Sequence, residues 1–187
     1  GANDPRLTQT ELEEMLAEAE EQDEPCYLST EVILERDLTV DRLCLLEEGG
    51  LVVPEGVTLT VTGFINMEDG GSLIVQEGGE LVLQSRITVY RNSTLTNNGE
   101  MVVYGVLRNN WNLVNNGTII LNGSRHNGRL ENNHNLANNG SIVLVEGGTF
   151  VNEEGTLTGN RPTVQEKPAY RVEIAQGDQL EMTGNTS

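Results

Sequence analysis

Aromatic side chains make up only 4% of the 187 residues. Whatever core the chain builds must therefore be filled by Val, Leu and Ile, which suits the narrow interior of stacked strands. Basic side chains are scarce as well, 11 against 29 acidic ones, for a formal charge of −18. Such a surface repels nucleic-acid phosphates and anionic membranes, so nucleic-acid binding is not expected. No apolar run approaches the roughly 18–20 residues that span a bilayer, and membrane insertion as a helix is not expected either. There is no glycine-rich phosphate loop, nucleophile elbow or Cys-x-x-Cys pair, and no Gly-Gly-x-Gly-x-Asp calcium repeat. The only cysteines, Cys26 and Cys44, neither require nor exclude an oxidising compartment. They stand about one coil of the repeat described below apart, so a disulfide between stacked coils and a pair of small buried thiols are both open. The chain begins with Gly rather than Met; an expression scar fits, and so does a boundary left by a removed export signal.

What the sequence does have is a repeat. Asn-Asn-Gly followed by an alternating apolar run occurs at Asn97-Asn98-Gly99, Asn115-Asn116-Gly117 and Asn138-Asn139-Gly140. Looser relatives lie at Leu51-Val52-Val53, Val57 to Val61, Gly71 to Val75, Gly79 to Leu83 and Glu154 to Thr158. A recurring turn-then-strand unit stacks on copies of itself, which predicts a solenoid. Glycines at positions 79, 99, 117 and 140 are 20, 18 and 23 residues apart, close to one full coil. Glycine ahead of each run is expected to supply the positive φ of a tight corner. Short strands with irregular spacing argue against long hairpins, and a jelly-roll sandwich is the alternative fold. Residues one coil apart lie above one another, so Asn98, Asn116 and Asn139 are expected to bond through their amides as a ladder; tolerance of left-handed turns is the other reason for Asn at these places.

Ahead of the repeat, Thr10 with Glu13, or Thr8 with Glu11, offers a capping box. Leu12, Met15, Leu16 and Ala19 form one apolar stripe, predicting a short helix that covers the open end of the first coil; a partner-binding helix is the rival use. The predicted organisation is a tail and capping helix over 1–26, a solenoid over 27–161, and an end cap or connector over 162–187.

Units such as Leu51 to Val61 and Leu136 to Ile142 resemble the repeats of right-handed parallel β-helices of adhesin-like bacterial surface and secreted proteins, and the leading Thr-x-Glu-Leu helix is similar to their N-terminal caps. The resemblance spans roughly residues 8–160. It implies an all-β, right-handed single-stranded parallel β-helix with an N-terminal capping helix. It leaves activity open, because this fold carries polysaccharide lyases, hydrolases and inert stalks.

A pectate-lyase-type site needs clustered carboxylates for Ca²⁺ and a basic residue. Glu68, Asp69, Glu77 and Glu80, with Arg86 and Arg91, are the candidates, weighed against an ordinary solvated corner. The stretch 107–136 contains Arg108, Asn110, Trp111, Asn112, Arg125, His126, Arg129 and His134 with only one carboxylate, Glu131. The single Trp111 among amides is equipped to stack on a sugar, with Arg108, Asn110, Asn112, Arg125 and His126 as further contacts; a ring packed against a corner is the alternative. His126 and His134 lack a third ligand at metal spacing, so zinc is not expected. Asn-x-Ser/Thr triplets begin at Asn92, Asn116, Asn122, Asn139 and Asn185, and matter only in a glycosylating host.

The expected function is a non-catalytic, extracellular or cell-surface stalk or adhesion module. No cofactor is expected beyond weak uptake of divalent cations by the acidic surface. Carbohydrate or a host surface protein are the expected partners, with neighbouring domains of a longer precursor. The alternative is a polysaccharide-binding or polysaccharide-cleaving module centred on Trp111. A cytoplasmic scaffold that polymerises end to end is a weaker third option.

Overall fold

A computed structural model describes residues 6–166, 169–172 and 182–185. The chain winds into a parallel β-solenoid of the right-handed type with about seven turns, preceded by one helix. Each coil passes through three faces in order. The first face stacks the strands Glu31–Ile33, Gly50–Val53, Ser72–Val75, Thr94–Asn97, Asn112–Asn115, Asn135–Asn138 and Thr156–Gly159, all parallel and in register. The second face comprises the first halves of Leu38–Leu45 and Thr58–Met67, then Glu80–Leu83, Glu100–Val103, Thr118–Asn122, Ser141–Val145 and Thr163–Val164. The third face begins with Cys26–Leu28 and takes the second halves of the two long strands. It continues through Arg86–Val89, Val106–Asn109, Arg129–Asn132 and Thr149–Val151. No helix among the described residues is long and apolar enough to cross a membrane. Beyond the coils, Ala169–Val172 and Met182–Asn185 pair antiparallel.

Alternation explains the core. Within the four-residue strands of the coils up to Asn135–Asn138 the second and fourth side chains point inward, giving columns such as Leu51, Leu73, Leu95, Leu113 and Leu136, or Leu81, Met101 and Ile119, all fully buried. These side chains fill a single continuous core, and at about 25 cal/mol per Å² of apolar surface they are the main favourable term for folding.

Helix α1 (Gln9–Glu21) closes the N-terminal end. Thr8, not Thr10, is its N-cap, and Glu11 completes the capping box by accepting from the Thr8 backbone N–H at 3.0 Å. The reason lies in Gln9. It is fully buried, and its Oε1 accepts the Glu35 and Arg36 backbone N–H groups at 2.7 and 3.1 Å, which fixes where the helix meets the first coil. Leu12 is buried, with Leu7, Met15, Leu16 and Ala19 packed against the core beside it.

The glycines correct one expectation. Gly99, Gly117 and Gly140 do not have positive φ. They are glycines because successive corners touch: a Cβ on Gly117 would lie 2.1 Å from the Gly99 carbonyl oxygen, and one on Gly140 would lie 2.1 Å from that of Gly117. Positive φ belongs instead to longer corners, at Glu48, Gly56, Asp69, Gly78 and Asn92.

Cys26 and Cys44 are free, buried thiols. Their strands pair with Cys26 opposite Leu43 and Tyr27 opposite Cys44. That offset of one residue points Cys26 into the core and Cys44 to the other side of the sheet, so the two do not form the bridge that sequence spacing allows. Burial pushes the Cys44 thiol up to about 11, helped by nearby Glu68 and Cys26.

Two predictions follow from this packing. Gly117→Ala should lower stability by about 3 kcal/mol, through overpacking against backbone. Gly147→Ala has a positive φ but open space, and should lower it by only about 1 kcal/mol; urea denaturation of both variants checks the order. The raised Cys44 value favours the folded state while the thiol is protonated. Stability should therefore fall as pH rises from ~8.5, where an unfolded thiol ionises, toward about 11. A Cys44→Ala variant should show a shallower decline.

Candidate functional site

The Asn-rich stretch folds into stacked amide columns, and corner length explains where they occur. At the two corners flanking the first face, four-residue corners follow Leu45, Val53, Met67, Val75 and Val89, whereas two-residue corners follow Asn97, Asn109, Asn115, Asn132 and Asn138. A two-residue corner leaves backbone groups that the buried Asn satisfies. Asn97 Oδ1 accepts from Gly99 N, and Asn109 Oδ1 accepts from Trp111 N, both at 3.2 Å. This is the Asx-turn chemistry that makes Asn a corner residue.

The same amides then bond along the axis. Asn97 Nδ2 donates to Asn115 Oδ1, and Asn115 Nδ2 to Asn138 Oδ1, each at 2.9 Å. A second buried column runs from Asn109 to Asn132 to Asn152 with both bonds at 2.8 Å. The columns rest on Val75 and Val89, the register partners of Asn97 and Asn109. On the outside, Asn116 donates to Asn98 at 2.7 Å and Asn139 to Asn116 at 2.9 Å, which joins Asn98, Asn116 and Asn139 in one exposed column. Asn133 donates to Asn110, and Asn135 to Asn112, each at 2.8 Å; Asn112 donates on to Thr94 Oγ1 at 3.2 Å. The buried columns are the part that sequence reading missed. Their signal was the first Asn of each Asn-Asn pair, which falls on an inward position of the period-two pattern.

Trp111 occupies the third-to-first corner, half-buried against the core. His134 stands one coil above with its ring centroid 4.4 Å away and the planes 5° apart. His134 Nδ1 lies 2.8 Å from the Trp111 carbonyl oxygen, which can only accept, so Nδ1 carries the proton. Trp111, Asn112, His134, Asn135, Glu154 and Thr156 line a shallow depression of about 430 Å³.

The other candidates are distributed around this corner rather than gathered in it. Arg108 points outward from the third face and donates to Glu131 at 2.8 Å; Arg129 donates to the other oxygen of Glu131 at 2.8 Å. The two guanidinium groups hold the Glu131 carboxyl below its usual range. Arg125 and His126 sit at the far edge of that face, on the second-to-third corner, in and beside the short 3-10 turn Gly123–Arg125. There the Arg125 guanidinium lies 4.0 Å from the Tyr104 ring centroid, and His126 is a left-handed cap with φ 87°. Thus Asn110, Trp111 and Asn112 share one corner, Arg108 lies beside them, and Arg125 and His126 are a full strand away.

The candidate lyase carboxylates are separated as well. Glu68 and Asp69 lie on the third-to-first corner, where Asp69 accepts from Asn92 at 2.8 Å. Glu77 lies on the first-to-second corner and Glu80 opens a second-face strand, whereas Arg86 opens a third-face strand. Among the described residues no group of three or more His, Cys, Asp and Glu side chains is arranged to hold a metal ion. Asn66 Oδ1 and Thr88 Oγ1, register partners on the outside of the third face, are buried without a hydrogen-bond partner.

Compared with protein-family models, curated proteins and solved structures, the chain matches none. The likeness to adhesin-like and lyase-like solenoids therefore rests on the repeat and reaches the architecture only.

Asn115→Ala should lower stability by about 2–4 kcal/mol, because it strips partners from buried amides on both neighbouring coils. Asn116→Ala, in the exposed column, should cost under about 1 kcal/mol. Chemical denaturation of the two variants measures the difference.

Proposed function

We propose that this chain is a non-catalytic structural module of an exported or surface-exposed protein, a stiff spacer that carries its corners and flanking segments away from an attachment point. The observation that carries this reading is how fully the side chains suited to chemistry are engaged with each other. Trp111 is stacked and packed, Glu131 is held between Arg108 and Arg129, and the amides run in columns along the axis. Every one of these contacts joins one coil to the next except the Arg129–Glu131 pair, which lies within a strand. Their common effect is axial rigidity, in line with the parallel ladders on three faces.

A second reading, saccharide contact, is favoured by one observation. The Trp111–His134 pair presents stacked rings beside the amides of Asn112 and Asn135 and the carboxylate of Glu154, a combination suited to a sugar's C–H face and hydroxyls.

Incubation with a panel of neutral and acidic polysaccharides separates the readings. A spacer releases no new reducing ends and no unsaturated products, and shows no retention on a glycan array. Retention that Trp111→Ala abolishes while the circular dichroism of the folded protein is unchanged would move the assignment to saccharide binding, and product formation would overturn the non-catalytic reading.

A further inference from the structure

Five of the eleven cations of this acidic chain lie on one side. Residues 84–93, 104–111 and 123–134, which make the third face and its two corners over three successive coils, contain Arg86, Arg91, Arg108, Arg125 and Arg129 but a single acid, Glu131. Arg86, Arg91 and Arg125 are exposed and make no ion pair with a described carboxylate. Aromatic rings accompany them: Arg86 lies 5.9 Å from the Phe64 ring centroid, Arg125 covers Tyr104, and Tyr90 is 40% exposed. Arginine beside Tyr and Phe, with acids depleted, is the composition of a protein-contact surface.

One group of acids lies on the opposite corner, with Arg36, which pairs with Glu13, as the arginine among them. Glu35, Asp37, Glu55 and Glu77 lie on the first-to-second corner, and Glu80 and Glu100 continue them as register partners at the start of the second face. None of these six forms an ion pair with a described residue. In a three-sided coil this ridge is the one corner that does not border the third face.

We propose that the arginine-bearing third face docks the acidic ridge of a second copy of this chain, side by side. The argument is one of pitch as well as charge. Parallel ladders put each coil ~4.8 Å above the last, so each coil of a second copy's ridge can meet one coil of the face. With a stagger of one coil, the coils that carry Arg86, Arg108 and Arg129 come opposite those that carry Glu55, Glu77 and Glu100; Arg86 and Arg129 share one column two coils apart, and Arg108, two residues further along its strand, shares Glu131 with Arg129. Because the ridge and the face are on opposite sides, the contact is head-to-tail around the prism and does not close; it propagates as a row.

The contact is weak. Three coils and a four-residue strand give a face of roughly 14 by 13 Å, far below the ~800 Å² per partner of a stable complex. Long-range repulsion between chains of charge −18 is largely screened beyond ~8 Å at physiological salt, which leaves the local pairs to decide.

Charge exchange on the full chain tests this by sedimentation equilibrium at ~0.15 M salt. The unaltered protein is expected to self-associate with rising concentration, and to dissociate at ~0.5 M salt. Arg86→Glu/Arg125→Glu and Glu77→Arg/Glu100→Arg should each weaken association at least about tenfold, with unchanged circular dichroism. Mixed together, the two variants should associate again, since each supplies the surface that the other has lost. An unaltered protein that stays monomeric to ~1 mM, self-association that survives the arginine exchange, or a mixture that remains dissociated overturns the proposal. Retention of a strictly monomeric protein on an acidic-polysaccharide column would assign the face to a saccharide instead.

Discussion

Everything in this molecule depends on one constraint, the in-register parallel ladder. Once each residue must sit directly above its counterpart, a side chain is chosen less for its neighbours in sequence than for the residue one coil below. Inward positions become columns of Leu, Ile and Val, and aromatic rings are too large for them; Phe150 enters only at the last coil of the third face, where its strand has no further partner. Outward positions become columns too, and there equal charges, equal amides or equal rings meet at the coil spacing. Amides and rings gain from that repetition, as in the Asn columns and the Trp111–His134 pair. Carboxylates do not, and the one on the outside of the third face of the arginine-bearing coils, Glu131, is held by two arginines.

Corner length is the variable that the ladder leaves free. Coils of 18 residues and coils of 23 residues stack without loss of register, because the extra residues are confined to corners. The four-residue corners after Leu45, Val53, Met67, Val75 and Val89 each contain a left-handed residue. The two-residue corners after Asn97 and Asn109 have no such residue, and a corner N–H of each, Gly99 and Trp111, donates to the buried Asn. Valine gives way to asparagine at the same inward position, at Asn97 above Val75 and at Asn109 above Val89, just where the corners shorten.

The architecture was legible in the sequence because turn-and-strand spacing repeats near one coil, and the capping helix because its apolar stripe stands apart from the period-two pattern. The exposed column through Asn98, Asn116 and Asn139 could be read from equal positions in three equal motifs. Other features depend on distances between coils, which no single unit contains. Gly99, Gly117 and Gly140 look like turn glycines until the carbonyl beneath each one is placed. The thiols look bridgeable by spacing, but a one-residue offset turns them to opposite sides of the sheet. The candidate ligand residues are close in sequence, yet a three-sided coil sends neighbours six residues apart to different faces, which separates Arg125 and His126 from Trp111.

The amide columns also carry direction. The buried ones, through Asn97 and Asn109, donate toward later coils, whereas the exposed ones, from Asn139 and Asn133, donate toward earlier coils. Aligned amides in a helix add up to a macrodipole. Here inner and outer columns oppose one another, so the rod can grow longer by Asn-bearing coils without accumulating an electric polarity along its axis.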